Sequence, residues 1–384
     1  MKGKTWQGKD FKFGLIGGGQ LGRMLIQQAA DYDLHVHTID NDPLAPCSKI
    51  SSSFTVGKLT DYKDILNFGM DKDVITIEIE NVNIEALEAL EKLGKVVVPQ
   101  PSVLKIIQDK GLQKEFYIQH DIPTAPFKLI SDKNDLISKI SQYPVVNKLR
   151  KGGYDGKGVQ ILRNANDLER AFEAPSILEE AIDFEKEISV IVARNAKGET
   201  VVYPTVECYF NADSNLVELL FSPANISEQL EEEAKNLALK VISSFQMIGI
   251  LAVELFITKD GKLLVNEVAP RPHNSGHHTI ECNHTSQFEQ HFRTVLNLPL
   301  GSTKMISPGA MVNILGADGY EGPVFYENIE LVLAEEDVFC HIYGKEITKP
   351  NRKMGHITVR NVTTDKAILL AEKMNSILLV KTLN

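Results

Sequence analysis

Two glutamates stand symmetrically about an Asp-Gly pair, and that symmetry constrains the fold more tightly than any other stretch of the chain. Leu251-Ala252-Val253-Glu254-Leu255-Phe256-Ile257 runs into Lys259-Asp260-Gly261-Lys262 and leaves through Leu263-Leu264-Val265-Asn266-Glu267. Asp-Gly between apolar runs signals a hairpin, because a two-residue type I′ turn needs positive φ at both central residues. With Asp260 and Gly261 in those places, Lys259 faces Lys262, and counting outward sets Glu254 opposite Glu267. Opposed side chains share a face, with Cβ atoms about 4.5–5.5 Å apart. Two carboxylates so placed repel unless something positive sits between them. A hard cation such as Mg²⁺, held by carboxylates and substrate phosphates, meets that need. A solvated strand face with lysines nearby fits the same residues. Just beyond the second strand, Arg271-Pro272-His273-Asn274-Ser275-Gly276-His277 gathers further polar groups.

A chain of 384 residues exceeds one ordinary core, so two or three domains are expected. The net charge of −10 argues against a protein that coats nucleic acid, and anionic substrates would need local clusters of Lys and Arg. Cys47, Cys208, Cys282 and Cys340 are scattered with no Cys-x-x-Cys spacing, as reduced thiols are. No apolar run approaches the roughly 18 residues of a membrane span, and Met1 to Asp10 lacks a signal-peptide core. The expected setting is cytoplasmic, with no nucleic-acid or membrane partner.

Short apolar runs alternate with helical stretches over the first hundred residues. Phe13 to Ile16, Leu34 to Ile39, Val74 to Ile79 and Val96 to Val98 read as strands, and Leu21 to Ala30 as a helix. That alternation predicts a parallel α/β sheet. One helix is expected over Val103 to Gln119, then a junction at Ile122-Pro123-Thr124-Ala125-Pro126. A second amphipathic helix starts at Ser227 as N-cap, with Leu230, Ala234, Leu237, Val241 and Phe245 on one stripe. Residues 301 to 384 read as strand-rich, ending in a short helix near Lys366 to Met374.

Five motifs bear on chemistry. Gly17-Gly18-Gly19-Gln20-Leu21-Gly22 satisfies G-x-G-x-x-G between a strand and a helix, with Asp40 ending the next strand. It suits a dinucleotide, another anion at the helix end, or simple close packing of helix on sheet. Lys148-Leu149-Arg150-Lys151-Gly152-Gly153-Tyr154-Asp155-Gly156-Lys157-Gly158 lets backbone N–H groups and local cations approach a polyphosphate, and Asp155 suits orientation of a substrate amine. A basic flexible loop is the plain alternative. Ile177 to Glu187 is an apolar strand entering a carboxylate-rich stretch, either an acidic loop or a linker reading an adenine edge with Glu187 on the ribose. Glu78 and Glu80 alternate near a strand end and so share a face, where open α/β sheets bind ligands. His273, His277, His278 and His284 lack H-E-x-x-H spacing or a Cys partner for zinc. Arg352-Lys353-Met354-Gly355-His356, with Arg360 beyond, clusters cations as a basic turn or an anion anchor.

Together these pieces resemble the ATP-grasp ligases, over essentially the whole length, and within them the enzymes that N-carboxylate 5-aminoimidazole ribonucleotide in purine synthesis. The resemblance implies an α/β fold: an N-terminal parallel domain over 1–108, a two-lobed ATP-grasp domain over 109–300 with a mobile glycine-loop lobe at about 125–185, and a β-rich domain over 301–384. It implies that Lys110 and Lys148 hold ATP phosphates and that Gly153, Tyr154, Asp155, Gly156, Lys157, Gly158 and Val159 form a covering flap. Glu179, Glu180, Ala181 and Ile182 would line the adenine and Glu187 the ribose. Glu254 and Glu267 would hold Mg²⁺, or Mn²⁺, with Asn266 assisting. Asp155, Arg271, His273 and Lys353 would serve catalysis. Gly19, Gln20, Leu21, Glu80, Asn81, Tyr154, Arg271, His273, Lys353 and Arg360 would meet the ribonucleotide and bicarbonate. A homodimer is also implied. Lys110 departs from the Arg frequent in relatives, and Phe210 from a His. The rival readings are a formate-dependent glycinamide ribonucleotide transformylase, an NAD-dependent oxidoreductase, and a nucleotide-binding regulator without turnover.

Overall fold

The computed structural model describes residues 5–153, 158–210 and 217–383. Tyr154, Asp155, Gly156 and Lys157 lie outside the described residues. The chain opens with β1 (Phe13–Ile16), α1 (Gln20–Ala30), β2 (Val36–Asp40), β3 (Ser53–Val56), α2 (Tyr62–Gly69), β4 (Val74–Ile77), α3 (Ile84–Lys92) and β5 (Val96–Val98). These strands pair in the order β3-β2-β1-β4-β5, all parallel. β1 and β4 are buried throughout, as parallel strands covered on both faces must be. One apolar cluster holds Leu15, Leu25 and Val36; another holds Ile16, Ile39 and Ile75.

The single helix expected over Val103 to Gln119 is two: α4 (Pro101–Ile107) and α5 (Lys110–Gln119). The break is a capping event. Asp109 takes an extended backbone, and its side chain accepts from Gly111 N and Leu112 N, satisfying donors that a helix start leaves orphaned. The same carboxylate receives Arg150 Nε at 2.7 Å and Nη2 at 2.9 Å. Arg150, counted in sequence among the cations of the glycine loop, is therefore engaged in fixing the start of α5, where Lys110 stands.

A small antiparallel sheet follows, with β6 (Phe127–Ile130), α6 (Lys133–Lys139), β7 (Val145–Leu149), β8 (Val159–Leu162) and β9 (Ser176–Glu180), in the order β6-β9-β7-β8. The large sheet begins with β10 (Phe184–Arg194), β11 (Thr200–Val202), β12 (Val206–Phe210) and β13 (Val217–Ser222). Helix α7 (Glu228–Ser244) leads to the hairpin β14 (Gly249–Thr258) and β15 (Leu263–Ala269), then α8 (Thr279–Cys282) and α9 (Gln287–Val295). Last come β16 (Gly309–Leu315), β17 (Gly322–Glu327), α10 (Ile329–Leu333), β18 (Val338–Ile342), β19 (Ile347–Thr348), β20 (Lys353–Arg360), α11 (Thr364–Ile377) and β21 (Leu379–Thr382). The large sheet runs β15-β14-β10-β12-β13-β16-β20-β18, with β11 on β10. It therefore passes without interruption from residues 184–269 into 309–360 through the β13–β16 pairing.

Helix α7 behaves as its stripe predicts. Ser227 caps it, accepting from Leu230 N, and Ala234, Leu237 and Val241 are buried. They pack with Val190, Leu251, Val253 and Val265 in one cluster, each large aliphatic side chain contributing about 1.5–3 kcal/mol by burial. α11 outruns the expected Lys366 to Met374 because Thr363 caps it, accepting from Lys366 N. The four cysteines are free thiols. Among the described residues no helix is long and apolar enough to cross a membrane.

Candidate active site

Glu254 does pair with Glu267, but the route differs from the sequence count. Thr258 N donates to Lys262 O at 2.9 Å, and Gly261 N to Thr258 O at 2.8 Å. The loop is thus three residues, Lys259 to Gly261, in which Gly261 takes φ +77° and Asp260 is not in the left-handed region. A type I′ turn would need both. The longer loop shifts the register by one, so Leu255 pairs with Val265. A bulge then shifts it back, leaving Asn266 as the extra residue before Glu267. Bulges set two residues against one and re-aim their side chains. Val265 and Val268 both enter the core beneath α7, which turns Asn266 and Glu267 together onto the opposite face, beside Glu254.

Two lysines meet that face, and a third stands behind it. Lys110 Nζ donates to Glu267 Oε2. Lys148 Nζ, from β7, donates to Asn266 Oδ1 at 3.0 Å and pairs with Glu179 Oε2 at 2.7 Å. Lys114 Nζ pairs with Glu179 Oε1 at 2.6 Å. Glu179, expected to line an adenine, is 3% exposed with its carboxylate between two ammonium groups. Glu180 ends β9, its N donating to Pro126 O at 3.0 Å, and Ala181 and Ile182 enter the connection between the two sheets. At the neck of the glycine loop Val159 pairs with Lys148. Gly158 there has φ +88°, and a Cβ on it would meet Gly153 Cα at 3.0 Å, so the neck closes only on glycine.

The charges sort the carboxylates. Lys110 beside Glu267 holds its carboxyl down to about 2, with Lys148 adding to the effect. Glu254 is driven well above the ordinary range by burial and by Glu267 and Glu187. Burial, with the Glu267 charge, pushes Glu187 up to about 7. Burial alone would raise Glu179, but Lys148 and Lys114 hold it below the ordinary value. Glu254, Glu267 and the Asn266 amide form an all-oxygen donor set, which suits a hard divalent cation. Glu254 faces a second carboxylate, and the charges of Lys110 and Arg271 do not offset burial and that repulsion, so a cation there relieves it.

The His273 ring lies 3.5 Å from Glu254. Its Nδ1 hydrogen-bonds with Ser275 Oγ at 2.9 Å, and Ser275 Oγ with Ser189 Oγ at 2.8 Å. Arg271 Nε lies 2.9 Å from Glu80 Oε2, bringing the end of β4 to this site. Glu78 and Glu80 do not share a strand face as expected, because β4 ends at Ile77. Glu78 turns inward, accepting Gly19 N and Gly22 N, each at 2.6 Å. Asp40 Oδ2 takes Gly18 N at 2.6 Å. The donors a dinucleotide pyrophosphate would use are filled by the chain's own carboxylates, which removes the physical basis of the oxidoreductase reading. Gly19, Gln20 and Leu21 stay at the start of α1, Leu21 buried and Gln20 half-buried, while Asn81 is exposed.

Lys353 opens β20, and Lys345 Nζ donates to its carbonyl at 2.6 Å. Lys345, unremarked in sequence, lies over Tyr343 at 5.6 Å. Arg360 stands at the other end of β20, about 23 Å along the strand from Lys353 at a rise of about 3.3 Å per residue, and pairs with Asp337 at 2.7 Å. The structure does not bring Arg360 to Lys353. Phe184 and Phe256 stack at 4.6 Å beside Glu187, a wall that only the β10–β14 pairing reveals. Among the described residues no three His, Cys, Asp or Glu side chains converge as a metal site.

The ribonucleotide synthetase preATP-grasp domain matches residues 11–108, the ATP-grasp domain residues 115–288, and the phosphoribosylaminoimidazole carboxylase C-terminal domain residues 309–369. N5-carboxyaminoimidazole ribonucleotide synthase of Bacillus subtilis is 37% identical over 362 residues, covering 92% of this chain and 93% of that protein. The crystal structure of the Thermotoga maritima synthetase superposes with a TM-score of 0.90 at 41% identity, covering 97% and 100% of the two chains. The Aspergillus clavatus synthase, crystallised with ADP and 5-aminoimidazole ribonucleotide, gives a TM-score of 0.87 at 30% identity over 97% and 99%. With its lysines, carboxylates and glycine neck on one face between two sheets, and with likeness along its whole length, the chain belongs to the N5-carboxyaminoimidazole ribonucleotide synthase family of ATP-grasp ligases.

Proposed function

We propose that the chain carboxylates the exocyclic amine of 5-aminoimidazole ribonucleotide, using ATP and bicarbonate and releasing ADP and phosphate. The observation that carries this is the bulge at Asn266, which aims Asn266 and Glu267 at one face with Glu254, opposite Lys110 and Lys148. A phosphate chain fits between such lysines and carboxylates only with a cation, and Glu254 and Glu267 would hold Mg²⁺ or Mn²⁺. When bound, that ion neutralises charge on the transferring phosphoryl group.

The chain's own groups supply the rest. Lys110 and Lys148 bind phosphate oxygens, and the glycine loop covers them. Bicarbonate oxygen bonds to the γ-phosphorus as the bond to ADP breaks, giving carboxyphosphate. The amine then bonds to the carboxyl carbon, phosphate leaves, and the amine proton passes to a base. Arg271, fixed by Glu80, offers charge to the anionic carboxyl. His273, whose Nδ1 accepts from Ser275 N at 3.4 Å, turns Nε2 as the donor toward Glu254 and so orients that carboxylate. Asp155 and Lys353 are assigned to orientation of the ribonucleotide. Exclusion of water matters because carboxyphosphate hydrolyses readily. A cytoplasmic setting and a homodimer belong to the same reading; sedimentation tests the latter.

The deciding experiment is ADP release in a coupled assay. Full rate should require bicarbonate and 5-aminoimidazole ribonucleotide together. Equal release with formate and glycinamide ribonucleotide would replace the proposal with the transformylase reading.

A further inference from the structure

A closed ring of buried polar groups surrounds Glu179, and one of its ammonium groups, Lys114, has no place in the reaction described above. Lys114 Nζ, on α5, pairs with Glu179 Oε1 at 2.6 Å and donates to Thr124 Oγ1. Thr124 Oγ1 donates to Val265 O at 2.7 Å. The next residue, Asn266, accepts from Lys148, and Lys148 pairs with Glu179 Oε2. Lys114, Thr124, Val265, Asn266, Lys148 and Glu179 thus tie α5, the proline-marked junction, the bulge of β15 and two strands of the small sheet into one circuit. The side chains of Lys114 and Glu179 are 3% and 4% exposed, and that of Lys148 is 12% exposed.

One carboxylate therefore serves two ammonium groups, and the pairing is unequal in freedom. Lys114 is enclosed in the body of the molecule, whereas Lys148 sits on the face where a phosphate would enter. If Lys148 turns from Glu179 to a phosphate oxygen, Glu179 keeps an ionic partner only because Lys114 remains. Without Lys114 that same movement would leave a buried carboxylate uncompensated, which is strongly unfavourable. We infer that Lys114 is a positioning residue for nucleotide binding: it is the fixed counter-charge that leaves Lys148 free to move between Glu179 and ATP.

This role rests on the ATP reading above, and one double-mutant cycle read by calorimetric titration of Mg-ATP tests both. Lys114→Met should weaken ATP binding about tenfold to hundredfold, the scale of a partly solvated unpaired charge. It should raise KM for ATP far more than it lowers kcat. In a Glu179→Gln background there is no carboxylate to compensate, so adding Lys114→Met should change ATP affinity less than about threefold. A merely structural Lys114, or one that touches phosphate itself, would cost as much in that background as in the wild type, and that result overturns the inference. Should Lys114→Met fail to fold, Glu179→Gln and Lys114→Met/Glu179→Gln make the same comparison alone, with unequal affinity as the contrary result. Unchanged binding by folded Lys114→Met also overturns it, while the wild type stays an ATP binder. Absence of ATP binding by the wild type would remove the functional reading and this role together.

Discussion

Glu187 on β10 and Glu267 on β15 carry the same side chain on either side of β14, yet their environments drive them in opposite directions. Glu267 has Lys110 against it and stays ionised, its carboxyl held to about 2. Glu187 is enclosed without a partner of that strength and is pushed up to about 7. The sign for stability follows from proton binding. Between the ordinary carboxyl value and about 7, the folded chain keeps a proton that the unfolded chain has lost, so stability falls as pH rises through that window. The effect is complete above it and amounts to at most about 3 kcal/mol, less after solvent screening. Glu187→Gln should therefore raise the melting temperature at pH 8 in chelator and leave it nearly unchanged at pH 4.5; equal shifts at both values would mean Glu187 is not held protonated. Glu267→Gln should abolish turnover and leave the circular dichroism spectrum unaltered, because Glu267 faces the site and not the core. Near-normal ADP release by that variant would remove Glu267 from the metal-binding pair. Glu267 was legible in the sequence because it sits in a patterned strand, whereas Glu187 read as part of an acidic loop or a linker until β10 places it in a strand. Lys114 was not legible, since a lysine within a helical stretch reads as solvated until its partners on β9 and at Thr124 are placed beside it.

At the scale of elements, the hairpin shows how a sequence count can reach the right pair by a wrong path. Asp-Gly suggested a two-residue turn, and alternation from there set Glu254 against Glu267. The loop is one residue longer and the bulge at Asn266 is one residue of compensation, so the two departures cancel at Glu267. No local signal marks a bulge in Leu-Leu-Val-Asn-Glu-Val-Ala; its cause is tertiary, with Val265 and Val268 both claimed by the core beneath α7. The break at Asp109 has a local signal that the expected single helix passed over, since Asp is a favoured N-cap. Gly261 has positive φ, and a Cβ there would meet only open space. Gly261→Ala should thus cost about 1 kcal/mol from backbone strain alone, measured by urea unfolding, with ADP release unchanged. A loss of activity would mean that loop geometry reaches the site through β15.

Across the whole molecule, three expected domains share cores. The large sheet crosses residue 300 at β13–β16, and Leu219 and Phe221 of β13 lie in one cluster with Val312, Ile357, Ala371 and Met374. The N-terminal sheet leans on α9 in the same way: Phe13 and Leu15 cluster with Phe288, Phe292 and Val295. Periodicity set out an N-terminal parallel sheet and a strand-rich end, but not these shared interiors, since a β13 residue shows no mark of the partner strand it will meet ninety positions later. Such cores predict coupled unfolding of the N-terminal, large-sheet and C-terminal parts. Trp6, the single tryptophan, packs against this cluster of the N-terminal sheet and α9 and reports on it, whereas far-ultraviolet circular dichroism reports on every sheet. The two signals should pass through their urea midpoints together, and the 1–300 fragment, with Leu219 and Phe221 uncovered on an open strand edge, should aggregate. A tryptophan transition well separated from the dichroism transition, with a soluble folded 1–300 fragment, would show that the shared clusters do not couple the parts.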